Sequence, residues 1–239
     1  AARLASAGFN GPSTVFEGRL GVLHAYSDAA LPERLLADDG QPLQIMRVSI
    51  KPYACCRYNH GLIDCMLELV RAHGFGPADV ERVRLGVLSG GALLVADPIE
   101  QKRAPRSVVD AQFSAPYAAA VALRYGTGGI EAYAPEKLGD PIVRDLMART
   151  DCYRDASLDA EYPSKWPAEV EVRLRDGRVM RTRVEYASGE PENPVSREAL
   201  VAKFTSLATG SVANPEALAE LILSLDQAPT LARLTATLA

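Results

Sequence analysis

The chain has 239 residues, of which 48% are hydrophobic, 23% charged and 6% aromatic, a composition that excludes a disordered or fibrous protein. Its 26 lysines and arginines against 30 aspartates and glutamates give a net charge of −4, which argues against general nucleic-acid binding. The charge-free stretch around the Ala-rich run, residues 111–123, is too short to cross a bilayer, and residues 1–10 lack the apolar segment of a signal peptide.

The first predicted elements are short. Residues 1–7 are typical of the end of a helix that Gly8 terminates, and because domains rarely begin there we expect the sequence to be part of a longer protein. A loop leads to a short helix at residues 22–26. Gln44–Lys51 alternates apolar with polar side chains, which predicts a half-buried strand that ends at Pro52.

The middle of the chain combines strands with helices, and its end is helical. The predicted elements are, in order, a helix capped by Asn59 and ended by Gly74, a strand at Val80–Leu88, an Ala-rich helix from Ser114 to Arg124, a helix from Asp140 to Ala148, a hairpin at Val170–Tyr186 with a two-residue turn at Asp176-Gly177, and helices that start at Ser196 and Asn214. This order predicts an α+β domain inserted between helical segments.

The densest group of chemically active side chains is KPYACCRYNH, residues 51–60, between a predicted strand end and a helix start. Such positions often carry sites, because unpaired backbone N–H groups favour anions. Lys51 could bind a carboxylate, act as a base or point into water. Arg57 could bind a substrate carboxylate or neutralise a neighbouring acid. His60 could transfer protons or be a hydrogen-bonded, partly buried histidine.

The thiols of this segment raise the question of a metal site or a disulfide. Cys55, Cys56, His60 and Cys65 match no common zinc spacing, and adjacent cysteines do not readily occupy two corners of one tetrahedral site, so we expect no metal. Four cysteines in a chain of this length do not form a disulfide framework either. Reduced thiols are expected, and they favour a cytoplasmic location.

A second group of candidates lies at residues 102–117. Three cations, Lys102, Arg103 and Arg106, precede a helix start, where they could attract an anionic substrate or form a solvated loop. Tyr117 could offer its hydroxyl to a site or pack inside the Ala-rich helix. There is no G-x-S-x-G motif, phosphate-binding glycine loop or dinucleotide fingerprint, so the hydrolase, kinase and dehydrogenase classes lose their usual support.

Five segments, taken together and in order, resemble the C-terminal half of the MmgE/PrpD family. They are AARLASAGFNGPSTVFEG, KPYACCRYNHGLID, DAQFSAPYAAAVAL, WPAEVEVRLRDG and GEPENPVSREALVAKF. The resemblance implies cofactor-independent enzymes that act on small di- and tricarboxylates, such as 2-methylcitrate dehydratase, cis-aconitate decarboxylase and iminodisuccinate epimerase. It also implies a homodimer whose active site lies between a large all-helical domain and a smaller inserted α+β domain. By this analogy residues 1–42 and 195–239 belong to the helical domain, and residues 43–194 form the smaller one.

The resemblance also bears on individual residues. Lys51 opens the KPY motif and faces the cleft in the family, while Arg57 and His60 match recurrent positions of its KPYxCCRYxH branch. The better-known dehydratases and decarboxylases depart from the Cys-Cys-Arg segment, which keeps other reactions of the family open. The remaining site histidines and acids of the family come from its N-terminal helical half, so the same or a separate chain would have to supply them.

These expectations converge on one kind of chemistry. Removing a proton or CO₂ next to a carboxylate builds negative charge on the carboxylate oxygens, so cations must lie there before the reaction begins. Lys51 and His60 are the catalytic candidates, and Arg57, Arg103 and Tyr117 are the substrate-binding candidates. A dehydratase-type lyase is the first expectation, with a racemase or epimerase of a similar diacid, or a non-catalytic half of a split enzyme, as alternatives. The expected partner is a small anionic carboxylate, with no cofactor, nucleic acid or membrane.

Overall fold

The computed structural model describes residues 1–36 and 40–238, which divide into two compact units, Ala1–Arg47 and Val48–Ala239. Residues 37–39, inside the segment 1–42 assigned to the end of the helical domain and its connecting loops, lie outside the described residues. The first unit contains two short helices, α1 (Ala2–Ser6) and α2 (Val22–Tyr26), and 3₁₀ turns at Pro32–Leu36 and Gln44–Arg47. The predicted helices at both positions are confirmed, and most large apolar side chains of this unit are exposed.

The predicted strand at Gln44–Lys51 is wrong. Residues 44–47 form a 3₁₀ turn, and residues 48–51 have no regular structure. Met46, Val48 and Ile50, the expected buried face, are all exposed. An alternating pattern produces a strand only where a neighbouring strand and a core lie beside it. Neither is present along this segment, and Ile50 donates its N–H to the carbonyl of Gly189, in a turn, at 2.8 Å.

The second unit is built on a four-stranded sheet. Its strands are β1 (Val80–Val87), β2 (Thr150–Arg154), β3 (Ala168–Leu174) and β4 (Val179–Val184), in the order β2-β1-β3-β4. β1 pairs with β2 in parallel and with β3 antiparallel, and β3 pairs with β4 as the predicted hairpin. The hairpin turn includes Gly177, at φ 89°, but it is longer than the two residues predicted, because Arg173 pairs with Val179. β2 was not among the predicted elements.

Ten helices are described in this unit: α3 (His60–His73), α4 (Ser89–Val95), α5 (Ile99–Lys102), α6 (Val108–Gln112), α7 (Ala115–Tyr125), α8 (Pro141–Ala148), α9 (Ala156–Asp159), α10 (Arg197–Ala208), α11 (Pro215–Leu223) and α12 (Ala232–Thr237). The predicted helices α3, α7, α8, α10 and α11 are confirmed. The side chains of Ser114, Asp140, Ser196 and Asn214 each accept a backbone N–H at a helix start, as N-caps do.

Asn59 does not cap α3, contrary to the prediction. A 3₁₀ turn, Arg57–Asn59, runs directly into the helix, so Asn59 has helical backbone angles and its side chain is turned away from the helix N-terminus. The buried amide donates instead to the carbonyls of Gln112 at 3.2 Å and Ser114 at 3.4 Å. This residue therefore ties the start of α3 to the start of α7.

The core lies between the sheet and the two helices α3 and α7. α3 contributes Leu62, Ile63 and Met66, and it contacts α7, β3 and β4. α7 is alanine-rich on every side and almost wholly buried, and its small side chains let neighbouring helices approach closely. The second unit is therefore an α+β structure in which α3 and α7 pack beside the sheet. None of the helices described is long and apolar enough to cross a membrane.

Candidate functional site

Residues 51–60 form a loop and a 3₁₀ turn whose backbone is fixed from several sides. The N–H of Ala54 donates to the Gly128 carbonyl, and that of Cys56 to the Gln112 carbonyl, each at 2.9 Å. Lys51 stands at the start of this loop with an exposed side chain. Its ammonium makes no ion pair within the described ranges, whereas its backbone carbonyl accepts a hydrogen bond from the ammonium of Lys203 on α10.

An open pocket of about 390 Å³ lies beside this loop. Pro52 and Ala54 line one side, and Lys203, Ser206 and Glu131 supply its polar groups. Ser206 donates to the carboxylate of Glu131, and this hydrogen bond lowers the pKa of Glu131. Lys203 makes no ion pair among the residues that the structure covers, so an ammonium without a carboxylate partner lies at this pocket as well as at Lys51.

Arg57 is already engaged by an acid of the same chain. Its Nε donates to Glu190 Oε1 at 2.8 Å and its Nη2 donates to Oε2, while the guanidinium stacks on Trp166 at 3.9 Å from the ring centroid. Glu190 also accepts from the hydroxyl of Ser49 at 2.7 Å. Of the two interpretations of Arg57, the structure therefore displays the one in which it neutralises a neighbouring acid. Nη1 has no hydrogen-bond partner among the residues that the structure describes.

His60 lies in the interior, 2% exposed, at the first position of α3. Its ring packs edge-on against Tyr53 with the centroids 5.2 Å apart, and Nε2 is buried without a hydrogen-bond partner. Burial lowers the pKa of His60 to about 4, an effect that a hydrogen bond with the Cys55 backbone opposes and that the charges of Lys51 and Arg57 reinforce. The imidazole is therefore neutral at pH 7 and does not reach solvent.

The buried histidine predicts a specific acid sensitivity. A histidine whose pKa falls from 6.5 to about 4 on folding stabilises the fold above pH 6.5, and this contribution is lost as the pH falls towards 4. A shift of this size corresponds to about 3 kcal/mol of unfolding free energy. Urea unfolding of the full chain between pH 7 and pH 4 should show that loss, and H60Q should flatten the curve. H24Q, which changes an exposed histidine, is the control and should leave the slope unchanged; an equal slope in H60Q and the parent chain would contradict the assignment.

Tyr53 joins the loop of residues 51–60, called the KPY loop below, to two other parts of the unit. Its hydroxyl donates to Asp64 Oδ1 on α3, and Asp64 Oδ2 accepts the N–H of Ser188 at 2.7 Å. Burial, together with the charge and hydrogen bond of Asp64, raises the pKa of the Tyr53 hydroxyl, which therefore stays protonated. Tyr53 and Asp64 thus hold the loop in place.

All four cysteines are free. Burial raises the pKa of Cys55, Cys65 and Cys152 to about 12, so these groups are thiols at neutral pH and poor nucleophiles. Within residues 1–36 and 40–238 no group of three or more histidine, cysteine, aspartate or glutamate side chains is placed to hold a metal ion.

The structure does not bring Arg103 or Tyr117 to the KPY loop. Arg103 donates from Nε to the Thr150 carbonyl at 2.9 Å and from Nη2 to Asp151, so it anchors the end of α5 on β2. Tyr117 is fully buried and donates its hydroxyl to the Ala132 carbonyl at 2.9 Å. Both side chains use their polar atoms inside the fold: Arg103 packs against β2, and Tyr117 packs against the turn at Ala132. The sequence alone did not show that these neighbours lie there. We therefore leave both out of the candidate site.

A larger pocket, of about 660 Å³, lies elsewhere and includes the rest of the basic run. Lys102 donates to the Leu94 carbonyl and the exposed Arg106 lies 4.0 Å from Asp110, while Leu93 and Val109 are exposed along its walls. These cations already have partners, and the other side chains in the walls are mainly apolar. The Lys51 ammonium has neither an ion pair nor a hydrogen bond in the described ranges, so we place the candidate site at the KPY loop despite the smaller volume.

Sequence reasoning missed Glu190, Trp166 and Lys203, all of which contact the KPY segment. Glu190 lies 133 residues from its partner Arg57, and a single glutamate in a turn carries no sign of such a pairing. The only local indication was the Gly189-Glu190-Pro191 sequence, which is typical of a turn.

Comparison with known proteins agrees with the resemblance seen in the sequence. Residues 53–227 match the model of the MmgE/PrpD C-terminal domain, a range that begins inside the KPY segment and contains the whole sheet and α3 to α11. The curated proteins searched contain no match to the chain. Because the match covers well over half of the 239 residues, the chain belongs to the MmgE/PrpD family.

Proposed function

We propose that this chain carries part of the active site of a cofactor-independent, dehydratase-type lyase for small di- or tricarboxylates. The family indicates a dehydratase- or lyase-type function in general. The observation that carries the more specific proposal is Lys51, an exposed ammonium without an acid partner in the described part of the chain, on a fixed loop beside an open pocket. Such a group suits an anionic substrate, because it offers charge that no residue of the protein has neutralised.

Each residue of the loop has a separate part in this proposal. Lys51 is the proposed base that takes the proton next to the substrate carboxylate. The electrons of the broken C–H bond form the new double bond and the C–O bond to the β-hydroxyl breaks. The proton held by Lys51 then passes to the departing hydroxide, which leaves as water. Arg57 holds a carboxylate through Nη1. His60, which is buried, supports the loop as a neutral imidazole and does not contact the substrate.

The rest of the assembly is also proposed. Residues 1–42 and 195–239 would belong to an all-helical domain, with residues 43–194 inserted between them, and two such chains would form a homodimer in the cytoplasm. The exposed Leu20 and Tyr26 of the first unit, 86% and 88% accessible, support a further packing partner for that segment. An N-terminal helical half, on the same or a separate chain, would supply the groups that complete the site.

The test is a screen in D₂O with β-hydroxy tricarboxylates, unsaturated tricarboxylates and aspartate-derived diacids, followed by NMR and mass spectrometry. Loss of water with a new C=C bond is the expected result. Deuterium incorporation without net product would replace the lyase with an epimerase, since both reactions pass through the same carbanion-like intermediate. The absence of both reactions from the whole panel, in the presence of a helical half from the family, would overturn the proposal.

A further inference from the structure

We propose that the turn at Gly189-Glu190 is a positioning element that holds the backbone on both sides of Lys51 in the conformation needed for reaction. This inference rests on the proposed role of Lys51. Gly189 and Glu190 touch no substrate in this scheme.

The first contact is between two backbones. The N–H of Ile50, the residue before Lys51, donates to the Gly189 carbonyl at 2.8 Å, and the N–H of Gly189 donates to the Asn193 carbonyl at 2.8 Å. Gly189 has a φ of 94°, and a Cβ built on it would lie 1.8 Å from the Ile50 carbonyl oxygen. Only glycine permits this approach, on grounds of both backbone conformation and space.

The second contact uses one carboxylate for two tasks. Glu190 Oε2 accepts the hydroxyl of Ser49 at 2.7 Å, and the same carboxylate holds Arg57 through Nε, at 2.8 Å, and Nη2. Ser49 precedes Lys51 in the chain and Arg57 follows it. The buried Glu190 therefore joins the two ends of the segment that carries the lysine.

The third contact falls on Lys51 itself. Its carbonyl accepts the Lys203 ammonium, so the side chain of Ser49, the N–H of Ile50 and the carbonyl of Lys51 are each bound by a different group. Pro52 follows and fixes the next φ angle. Three consecutive residues without regular structure are thus held by turn and helix groups, while the Lys51 ammonium is left without an ion pair in the parts of the chain described. Fixing a reactive group before substrate binds is how a site limits the entropy cost of reaction.

A turn at Gly189-Glu190 that merely stabilised the fold would show the same contacts. The test must therefore separate a role in stability from a role in positioning Lys51. We would measure kcat and KM for E190A, S49A and K51A, and for the double variants with K51A. E192A is the matched control, because Glu192 is an exposed acid of the same segment. Hydrogen exchange of the Ile50 amide, followed by NMR, reports on the hydrogen bond from Ile50 to Gly189 without any need for activity.

We expect E190A to lower kcat about 10-fold or more and also to raise KM, because it releases Arg57, the proposed carboxylate ligand. S49A leaves the Arg57–Glu190 pair intact, so it should lower kcat to a smaller extent, with little change in KM and no further effect in the K51A background. It also covers the case in which E190A fails to fold. The Ile50 amide should exchange faster in both variants and not in E192A.

Two results would overturn the inference. Rapid exchange of the Ile50 amide in the parent chain would show that the hydrogen bond from Ile50 to Gly189 is absent, whatever the activity. Equal losses of kcat from S49A with and without Lys51 would show that the turn acts on the fold alone. Unchanged turnover in K51A, together with a protected Ile50 amide, would instead contradict the proposed function. The hydrogen bond from Ile50 to Gly189 would then exist but would have no catalytic residue to position.

Discussion

Replacing Lys51 by alanine should lower turnover about 100-fold or more and leave the free energy of unfolding almost unchanged. Positioned proton transfer is typically worth 10²- to 10⁴-fold in rate. The Lys51 side chain is exposed and makes no ion pair in the described ranges, and a surface change of this kind usually alters stability by less than about 0.5 kcal/mol. Steady-state kinetics on the substrate found in the screen and urea unfolding of the same preparation measure the two quantities.

K51R distinguishes the roles open to the lysine. Arginine keeps the positive charge but does not lose its proton near neutral pH, so it should preserve carboxylate binding and fail in proton transfer. We expect KM close to that of the parent chain and a kcat nearly as low as in K51A. A K51A variant that turns over normally would remove Lys51 from catalysis, and one that loses several kcal/mol of stability would make the lysine a structural residue.

Replacing Gly189 by alanine should destabilise the second unit by about 3 to 5 kcal/mol, the size of effect reserved for severe local conflicts. A residue with a Cβ pays about 1 to 2 kcal/mol for left-handed backbone angles. At Gly189 the methyl group would also meet the Ile50 carbonyl oxygen at 1.8 Å, so one of the two backbones has to move. Urea or thermal unfolding of the full chain gives the difference.

Gly177 provides the matched control for this substitution. Its φ is 89°, nearly that of Gly189, but a Cβ there meets nothing within 4 Å. G177A should therefore cost only the backbone part, about 1 to 2 kcal/mol. Similar losses in the two variants would mean that the contact between Gly189 and Ile50 contributes nothing. A much larger loss in G189A is the expected result.

Local patterns predicted the elements whose causes are local. The N-caps Ser114, Asp140 and Ser196 and the turn at Gly177 were visible in the sequence, because a cap or a hairpin turn depends on a few neighbouring residues. The motif at Lys51 was visible for the same reason: its reactive side chains are close together in the chain.

The errors share a different cause. Alternation at 44–51 predicted a strand, but a strand needs a partner, and that information lies elsewhere in the chain. Asn59 has the right chemistry for a cap and serves instead the carbonyls of Gln112 and Ser114, which the local sequence does not place beside it. The Arg57–Glu190 pair was likewise hidden, since it joins residues that only the fold brings together.

The position of β1 in the sheet has a consequence for the order in which the chain is synthesised. Of the four strands of the sheet, β1 is the first to leave the ribosome, yet it lies inside the sheet, and its Val83 pairs with Thr150 on one side and Val172 on the other. Both hydrogen-bonding edges of β1 therefore stay without their native partners while the helices α4 to α8 are translated. The β3–β4 hairpin, by contrast, contains both of its partners within one short stretch and closes with little loss of loop entropy. β1, which is translated before the other three strands, must therefore wait for both of its neighbours before the sheet can form.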